Sequence, residues 1–156
     1  MAAAIVSCAV SVSCLESVEP TPESTVLSIQ PLTPYVRGVE TATSSRFQME
    51  FRIRNNGTRP VYLDLAYRRF EKLVDQRWEL AAETTAAPFT AVRTIQPGVQ
   101  ISVVFSVVHT RGSSSFELIE HVRGLYRARL RLAYNPGGTD QVPVEDSYSR
   151  PFAVTE

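Results

Sequence analysis

Apolar and polar residues alternate with period two along much of this chain. Between residues 47 and 54 the apolar Phe47, Met49, Phe51 and Ile53 interleave with the polar Gln48, Glu50, Arg52 and Arg54. Such alternation marks a strand with one face on a core and the other in water. Asn55-Asn56-Gly57-Thr58 follows, made of residues that tolerate positive φ, and it predicts a turn. Beyond Pro60 the series Val61, Leu63, Leu65 and Tyr67 predicts a second strand with those four facing inward.

The same reading extends along the chain. Thr25–Gln30 alternates weakly and stops at Pro31, and the second proline, Pro34, suggests an edge strand that breaks and resumes. Pro97-Gly98 precedes a strand from Val99 to Val108, with Ile101, Val103, Phe105 and Val107 on one face. From Leu125, the residues Tyr126, Ala128, Leu130 and Leu132 alternate with Arg127, Arg129 and Arg131. Asn135–Gly138 makes a further turn, and Arg150–Val154 a last strand. Residues 81–92, rich in Ala and Thr with Pro88, read as a loop.

Two segments depart from period two. LDLAYRRFEKLVDQRWELAAE, residues 63–83, also fits a helical stripe through Leu63, Tyr67, Phe70, Val74 and Trp78. Asp75-Gln76-Arg77 can equally be a turn between two strands, and a hairpin is the reading adopted. Residues 113–124 predict one or two helical turns. Ser114 can cap them, Glu117 sits three residues on as in a capping box, and Gly124 can end them. The sum is an all-β fold: seven or eight strands and one short helical turn in a single β-sandwich over residues 25–156.

Composition narrows the roles open to such a domain. Lys and Arg together number 16, as do Asp and Glu. No broad positive field exists to collect the phosphates of a nucleic acid or an anionic membrane. Fifteen of the basic residues are Arg and only Lys72 is Lys, which reads as the coding bias of a GC-rich genome rather than as a binding signature. Both cysteines, Cys8 and Cys14, fall in the first 14 residues, which excludes a disulfide within the domain.

Ala2–Val12 is long enough for the apolar region of a secretory signal and too short to span a bilayer. Ile5-Val6-Ser7-Cys8 has the pattern of a bacterial lipobox, and Ser11-Val12-Ser13-Cys14 is a second, poorer candidate. Cys8 and Cys14 are therefore lipidation candidates, although no Lys or Arg precedes Arg37. Residues 1–24 read as a signal- or lipoprotein-like segment followed by a Pro- and Glu-rich tether. The expected location is extracytoplasmic: the periplasm or the cell surface.

The order of short motifs carries a resemblance. Asn56-Gly57 ahead of Pro60-Val61-Tyr62-Leu63 is followed by Val74-Asp75-Gln76-Arg77-Trp78 and then by Pro97-Gly98. Gly124-Leu125-Tyr126-Arg127 and Ser149-Arg150-Pro151-Phe152 complete the set. In this order, over residues 25–156, they resemble small exported bacterial immunoglobulin-like proteins, and the layout is similar to that of the bacterial intracellular proteinase inhibitor family. The resemblance implies an immunoglobulin-like or fibronectin-like sandwich. It also implies a structural role for Tyr126 as a tyrosine corner, its hydroxyl bonded back to nearby backbone, and allows an inhibitory role, although no inhibitory loop sequence is present to transfer.

Candidate chemistry is sparse. Nucleophile elbows, phosphate-binding loops and zinc- or calcium-binding patterns are absent from the sequence. Glu117, Glu120 and His121 could share a helical face, but no second ligand pair completes a metal site. A catalytic triad would need His109 or His121 near a buried carboxylate and an activated serine, and Ser113, Ser114 and Ser115 single out no nucleophile. No cofactor and no catalysis are expected.

Arg127, Arg129 and Arg131, joined by Arg68 if it lies on the neighbouring strand, form a ladder that could receive an acidic partner or a sugar acid through bidentate contacts. The favoured reading is a solvated face answered by Asp64 or Glu79 across the sheet, since surface charge runs usually serve solvation. Trp78, the only tryptophan, is expected in the core. The functional expectation is a non-catalytic binding or assembly module with a protein or polysaccharide partner, or a homo-oligomer. A proteinase inhibitor and an enzyme with an unrecognised site are the alternatives.

Overall fold

In the computed structural model, residues 24–84, 89, 91–110 and 122–156 are described. They form two sheets. The smaller is centred on β4 (Ser44–Asn55), which pairs along its whole length with β8 (Gln100–Thr110), from Ser44↔Thr110 to Arg54↔Gln100. On its other side β4 takes β1 (Leu27–Pro31) at one end and β3 (Val39–Glu40) at the other. The larger sheet runs in the order β2 (Tyr35–Arg37), β10 (Phe152–Thr155), β9 (Gly124–Ala133), β5 (Val61–Val74) and β6 (Arg77–Glu83). The segment β7 (Val92–Ile95) also pairs with β5. All pairings are antiparallel except that of β2 with β10.

The inward sets read from the sequence meet between the sheets. Phe47 and Phe51 of β4 lie 5.5 Å and 6.5 Å from Phe70 of β5, ring centre to ring centre. Phe51 also meets Phe152 of β10 edge-on at 5.7 Å. Offset and edge-on pairs of this kind add roughly 0.5–1.5 kcal/mol each beyond the apolar area they bury. Met49, Ile53, Val103, Phe105, Leu130 and Val154 are buried around them.

The stretch from residue 47 to residue 65 is not a hairpin. Its two strands belong to opposite sheets, and the link between them arches over the core edge. None of residues 55–58 has positive φ. The turn is held by the buried Asn55 side chain instead. Its Oδ1 accepts from Gly57 N–H at 3.0 Å, and its Nδ2 donates to the Arg59 and Ile95 carbonyls at 2.7 and 3.0 Å. The real hairpin is the segment that also fitted a helix. β5 and β6 are joined by Asp75 and Gln76 with φ of 46° and 64°, the signature of a primed two-residue turn.

Among the described residues ten strand segments stand where seven or eight were expected. At Pro31–Pro34 the chain leaves one sheet and enters the other, so the broken edge strand becomes β1 and β2 in different layers. The loop expected over 81–92 is strand at both of its ends: residues 81–83 finish β6, and Val92 opens β7 (Val92–Ile95). The expected helical turn at 113–124 lies outside the described residues except for its end, where Gly124 opens β9 rather than closing a helix. Among the described residues a short 3₁₀ turn occurs at Val144–Ser147, between β9 and β10.

Candidate functional site

The outward side of the larger sheet carries the arginine ladder. Its register decides which residues share it. Arg127 stands opposite Glu71, Arg129 opposite Arg69, and Leu130 opposite Arg68. Arg68 therefore leaves the ladder: its guanidinium lies on the core side, 5.8 Å from the Phe105 ring. Arg69 takes its place.

The cause is a bulge. Between the pairs Leu63↔Leu132 and Arg68↔Leu130 the chain advances five residues on β5 but only two on β9. An odd surplus exchanges the faces, because side chains alternate with period two. Asp64 Oδ1 accepts from Ala66 N–H at 2.9 Å inside the bulge. The Thr84 hydroxyl serves its freed backbone, donating to the Ala66 carbonyl and accepting from Arg68 N–H, both at 3.0 Å. Tyr67, expected inward, consequently faces outward with the arginines.

Glu71 is the hub of this face. Its side chain is only 4% exposed. Oε2 accepts from Arg127 Nη2 at 2.6 Å and from Arg127 Nε at 2.8 Å. Oε1 accepts from Arg69 Nε at 2.9 Å and from the Tyr148 hydroxyl at 3.2 Å. A carboxylate removed from water this completely is tolerable only because charge-assisted bonds surround it.

The Arg127 guanidinium also stacks on two rings, 4.7 Å from the centre of Trp78 and 4.0 Å from that of Tyr148. Trp78 is thus not a core residue. It sits half-buried on the outer face, because its register partner Leu73 has the same parity as Glu71. Its ring holds a cation rather than lining the core.

A second group lies further along β9. Arg131 Nη1 approaches Asp64 Oδ2 at 3.5 Å, and its guanidinium stands 5.9 Å from the Tyr67 ring and 5.3 Å from that of Phe89. The Tyr67 hydroxyl donates to Glu83 Oε1 at 2.6 Å. Burial, then that bond to a carboxylate, pushes the Tyr67 phenol up to about 12. Arg129 lies between the two groups. Among the described residues no carboxylate comes within ion-pair distance of it. It faces Arg69 directly across the strands, a like-charge juxtaposition that is unfavourable unless an anion intervenes.

Beside Arg129 and Arg131 a cleft of about 270 Å³ opens, lined also by Tyr67, Gln141 and Ser147. It lies where the chain after β9 turns back. That returning chain bridges β9 at Ala133↔Gln141 and again at Arg129↔Tyr148, and between those bridges the 3₁₀ turn swings away. The cleft is the gap so formed.

Tyr126 is fully buried, 5.1 Å from Phe47 and 6.2 Å from Phe152. Its hydroxyl has no hydrogen-bond partner among the described residues, so the expected bond back to nearby backbone is not made. Burial, with a smaller contribution from Glu40, holds its pKa far above the ordinary phenol value. Among the described residues no group of three or more His, Cys, Asp or Glu could hold a metal ion. Cys8, Cys14, Glu117, Glu120 and His121 lie outside the described residues. No helix among the described residues is long and apolar enough to cross a membrane.

No family model matches the sequence, and neither does any curated protein. Solved structures do. Northeast Structural Genomics Consortium target SoR45 aligns over 82% of this chain and 84% of its own, with a TM-score of 0.50 and 11% identity. The putative ApaA protein from Bordetella pertussis aligns over 81% and 89%, with a TM-score of 0.42 and 15% identity. Alkylpurine DNA glycosylase AlkC of Pseudomonas fluorescens, which was solved bound to DNA containing an abasic site analog, aligns over 88% of this chain but 32% of its own. Its TM-score is 0.40 and its identity 10%. At such identities the likeness to SoR45 concerns the arrangement of strands, and the other two carry no argument about this chain.

Proposed function

We propose that the chain is an extracytoplasmic, non-catalytic binding module, with an immunoglobulin-like or fibronectin-like sandwich held at the cell surface by its N-terminal segment. The strand arrangement supports that finer fold. One sheet has β4 flanked by β1 and β8, the other runs from β6 through β5 and β9 to β10, and β2 lies parallel beside the last strand. The observation that carries the binding role is the ordered outer face of the larger sheet. There arginines are locked in place by buried carboxylates and aromatic rings, and among the described residues Arg129 has no counter-charge.

Pre-organised charged groups that do not have to be immobilised on association are what a recognition surface requires. The partner is a protein or a polysaccharide, and the balanced net charge argues against nucleic acid. The test is a binding panel of neutral glycans, acidic glycans, and acidic and basic polypeptides. It is run beside ester, glycoside and peptide hydrolysis assays and a protease panel. Saturable binding to one member without turnover supports the module. Turnover of any substrate sinks it, and stoichiometric inhibition of a protease replaces it with the inhibitor reading.

A further inference from the structure

Resting on that binding role, we infer that the cleft beside Arg129 is a carboxylate subsite that takes an acidic side chain of a peptide partner. Among the described residues, four guanidinium groups, those of Arg69, Arg127, Arg129 and Arg131, share this sheet face with three carboxylates. The carboxylates are already engaged. Glu71 holds Arg69 and Arg127, Asp64 is turned to Arg131 and to Ala66 N–H, and Glu83 accepts from Tyr67. The surplus cation is Arg129, and it borders the cleft.

A carboxylate entering there meets Arg129 head-on. It also comes near Arg131, whose hold on Asp64 at 3.5 Å is long for a charge-assisted bond and leaves donors to spare. Gln141 and Ser147 supply polar walls.

Peptide is favoured over sugar acid on two grounds. A pyranose ring is held chiefly by stacking on an aromatic face; the rings of Trp78 and Tyr148 on this surface are turned to Arg127, and Tyr67 at the cleft stands 5.9 Å from the Arg131 guanidinium with its hydroxyl tied to Glu83. In addition, a volume of about 270 Å³ falls below the roughly 300–1,000 Å³ of sites that enclose whole small ligands, and suits a single side chain.

The experiment titrates the full chain, by fluorescence anisotropy, with labelled hexaglutamate, hexaglutamine and trigalacturonate. The Nε–Hε resonances of the arginines are followed by NMR in parallel. Hexaglutamate is expected to bind saturably and to shift a resonance that disappears in Arg129→Gln. That variant is expected to bind about tenfold more weakly, the loss of one charge-assisted contact. Arg129→Lys should recover part of the loss, and Arg52→Gln on the opposite sheet should bind within twofold of the parent.

An equal loss in Arg129→Gln and Arg52→Gln, no loss in Arg129→Gln, or no binding of hexaglutamate would each overturn the subsite. Tighter, Arg129-dependent binding of trigalacturonate would overturn the peptide assignment. A chain that fails with hexaglutamate but binds another member of the wider panel keeps its role as a module and loses only this site.

Discussion

The outer faces of the two sheets look alike in sequence and differ in kind. On the smaller sheet β4 presents Arg46, Gln48, Glu50, Arg52 and Arg54 to solvent, just as β9 presents Arg127, Arg129 and Arg131 on the larger. The strand beside β4 answers with Gln100, Ser102, Val104, Ser106 and Val108, none of which is anionic or aromatic. Among the described residues, no ion pair or ring contact involves the β4 arginines. On the larger sheet β5 answers instead with Glu71, Asp64 and Tyr67, and β6 beyond it with Trp78. Alternation along a strand settles only which residues face out. What an outward residue becomes is decided by its cross-strand neighbours.

Removing the hub should separate the faces most sharply. Glu71→Gln keeps the volume but takes away the charge that Arg69 and Arg127 share inside a nearly closed surface. Breaking a buried pair from one side costs about 3 kcal/mol. The counterpart Glu50→Gln, with no ion pair to lose among the described residues, should stay within about 0.5 kcal/mol. Urea unfolding of both variants, read as the free energy extrapolated to water, checks the difference. Equal losses would mean that the buried network adds nothing beyond ordinary surface polarity.

Arg127→Ala comes next. It removes one two-nitrogen contact with a carboxylate and a cation held between two rings, worth about 2 kcal/mol together at a partly buried site. Arg52→Ala should lose a few tenths, as surface positions do. Trp78 reports directly on the first change. Its fluorescence should shift in Arg127→Ala and stay put in Arg52→Ala. An unmoved spectrum would place the indole away from Arg127.

Much of this fold is legible from side-chain alternation, because Phe47–Ile53, Ile101–Val107 and Tyr126–Leu132 bury one face each and nothing interrupts them. The site is less legible. Arg127, Arg129 and Arg131 can be listed from the sequence, but their partners depend on the surplus residues that β5 inserts between Leu63 and Arg68. A bulge leaves no mark in hydropathy, so Arg68 and Arg69 look interchangeable until the register is known. Trp78 misleads for a related reason. A lone large aromatic is expected in a core, and only its place opposite Leu73 shows that it is turned outward. Asp64 and Thr84, which stabilise the bulge, carry a signal that could be sought: a short polar side chain able to satisfy backbone freed from a ladder.

Tyr67→Phe tests the bond from the phenol to Glu83 through its pH dependence. The folded-state pKa is raised from 10.0 to about 12, so this group's contribution is complete below pH 10 and disappears as the pH climbs towards 12. At pH 8 the variant should be less stable than the parent by about 1 kcal/mol, the net worth of one half-exposed hydrogen bond. The gap should narrow steadily between pH 10 and 12 as the parent loses its advantage. Urea midpoints of the two proteins across that window check it. A constant gap would show that the hydroxyl contributes by packing alone.

The smallest effect is expected at the residue placed at the centre of the binding surface. Arg129 has no carboxylate within reach among the described residues and stands opposite Arg69, so Arg129→Gln removes a repulsion and no ion pair. Its stability should change by no more than about 0.5 kcal/mol, with a gain of a few tenths more in keeping with the geometry than a loss. Low salt should enlarge any gain, since screening weakens the repulsion being relieved. Arg127→Ala should be nearly as costly at high salt, because its stacking and burial are hardly screened. Thermal unfolding of both variants at low and high ionic strength distinguishes a face built only to fold from one that keeps a cation in reserve. In the first case Arg129 would cost as much to remove as its neighbours. In the second it costs nothing until a ligand is present.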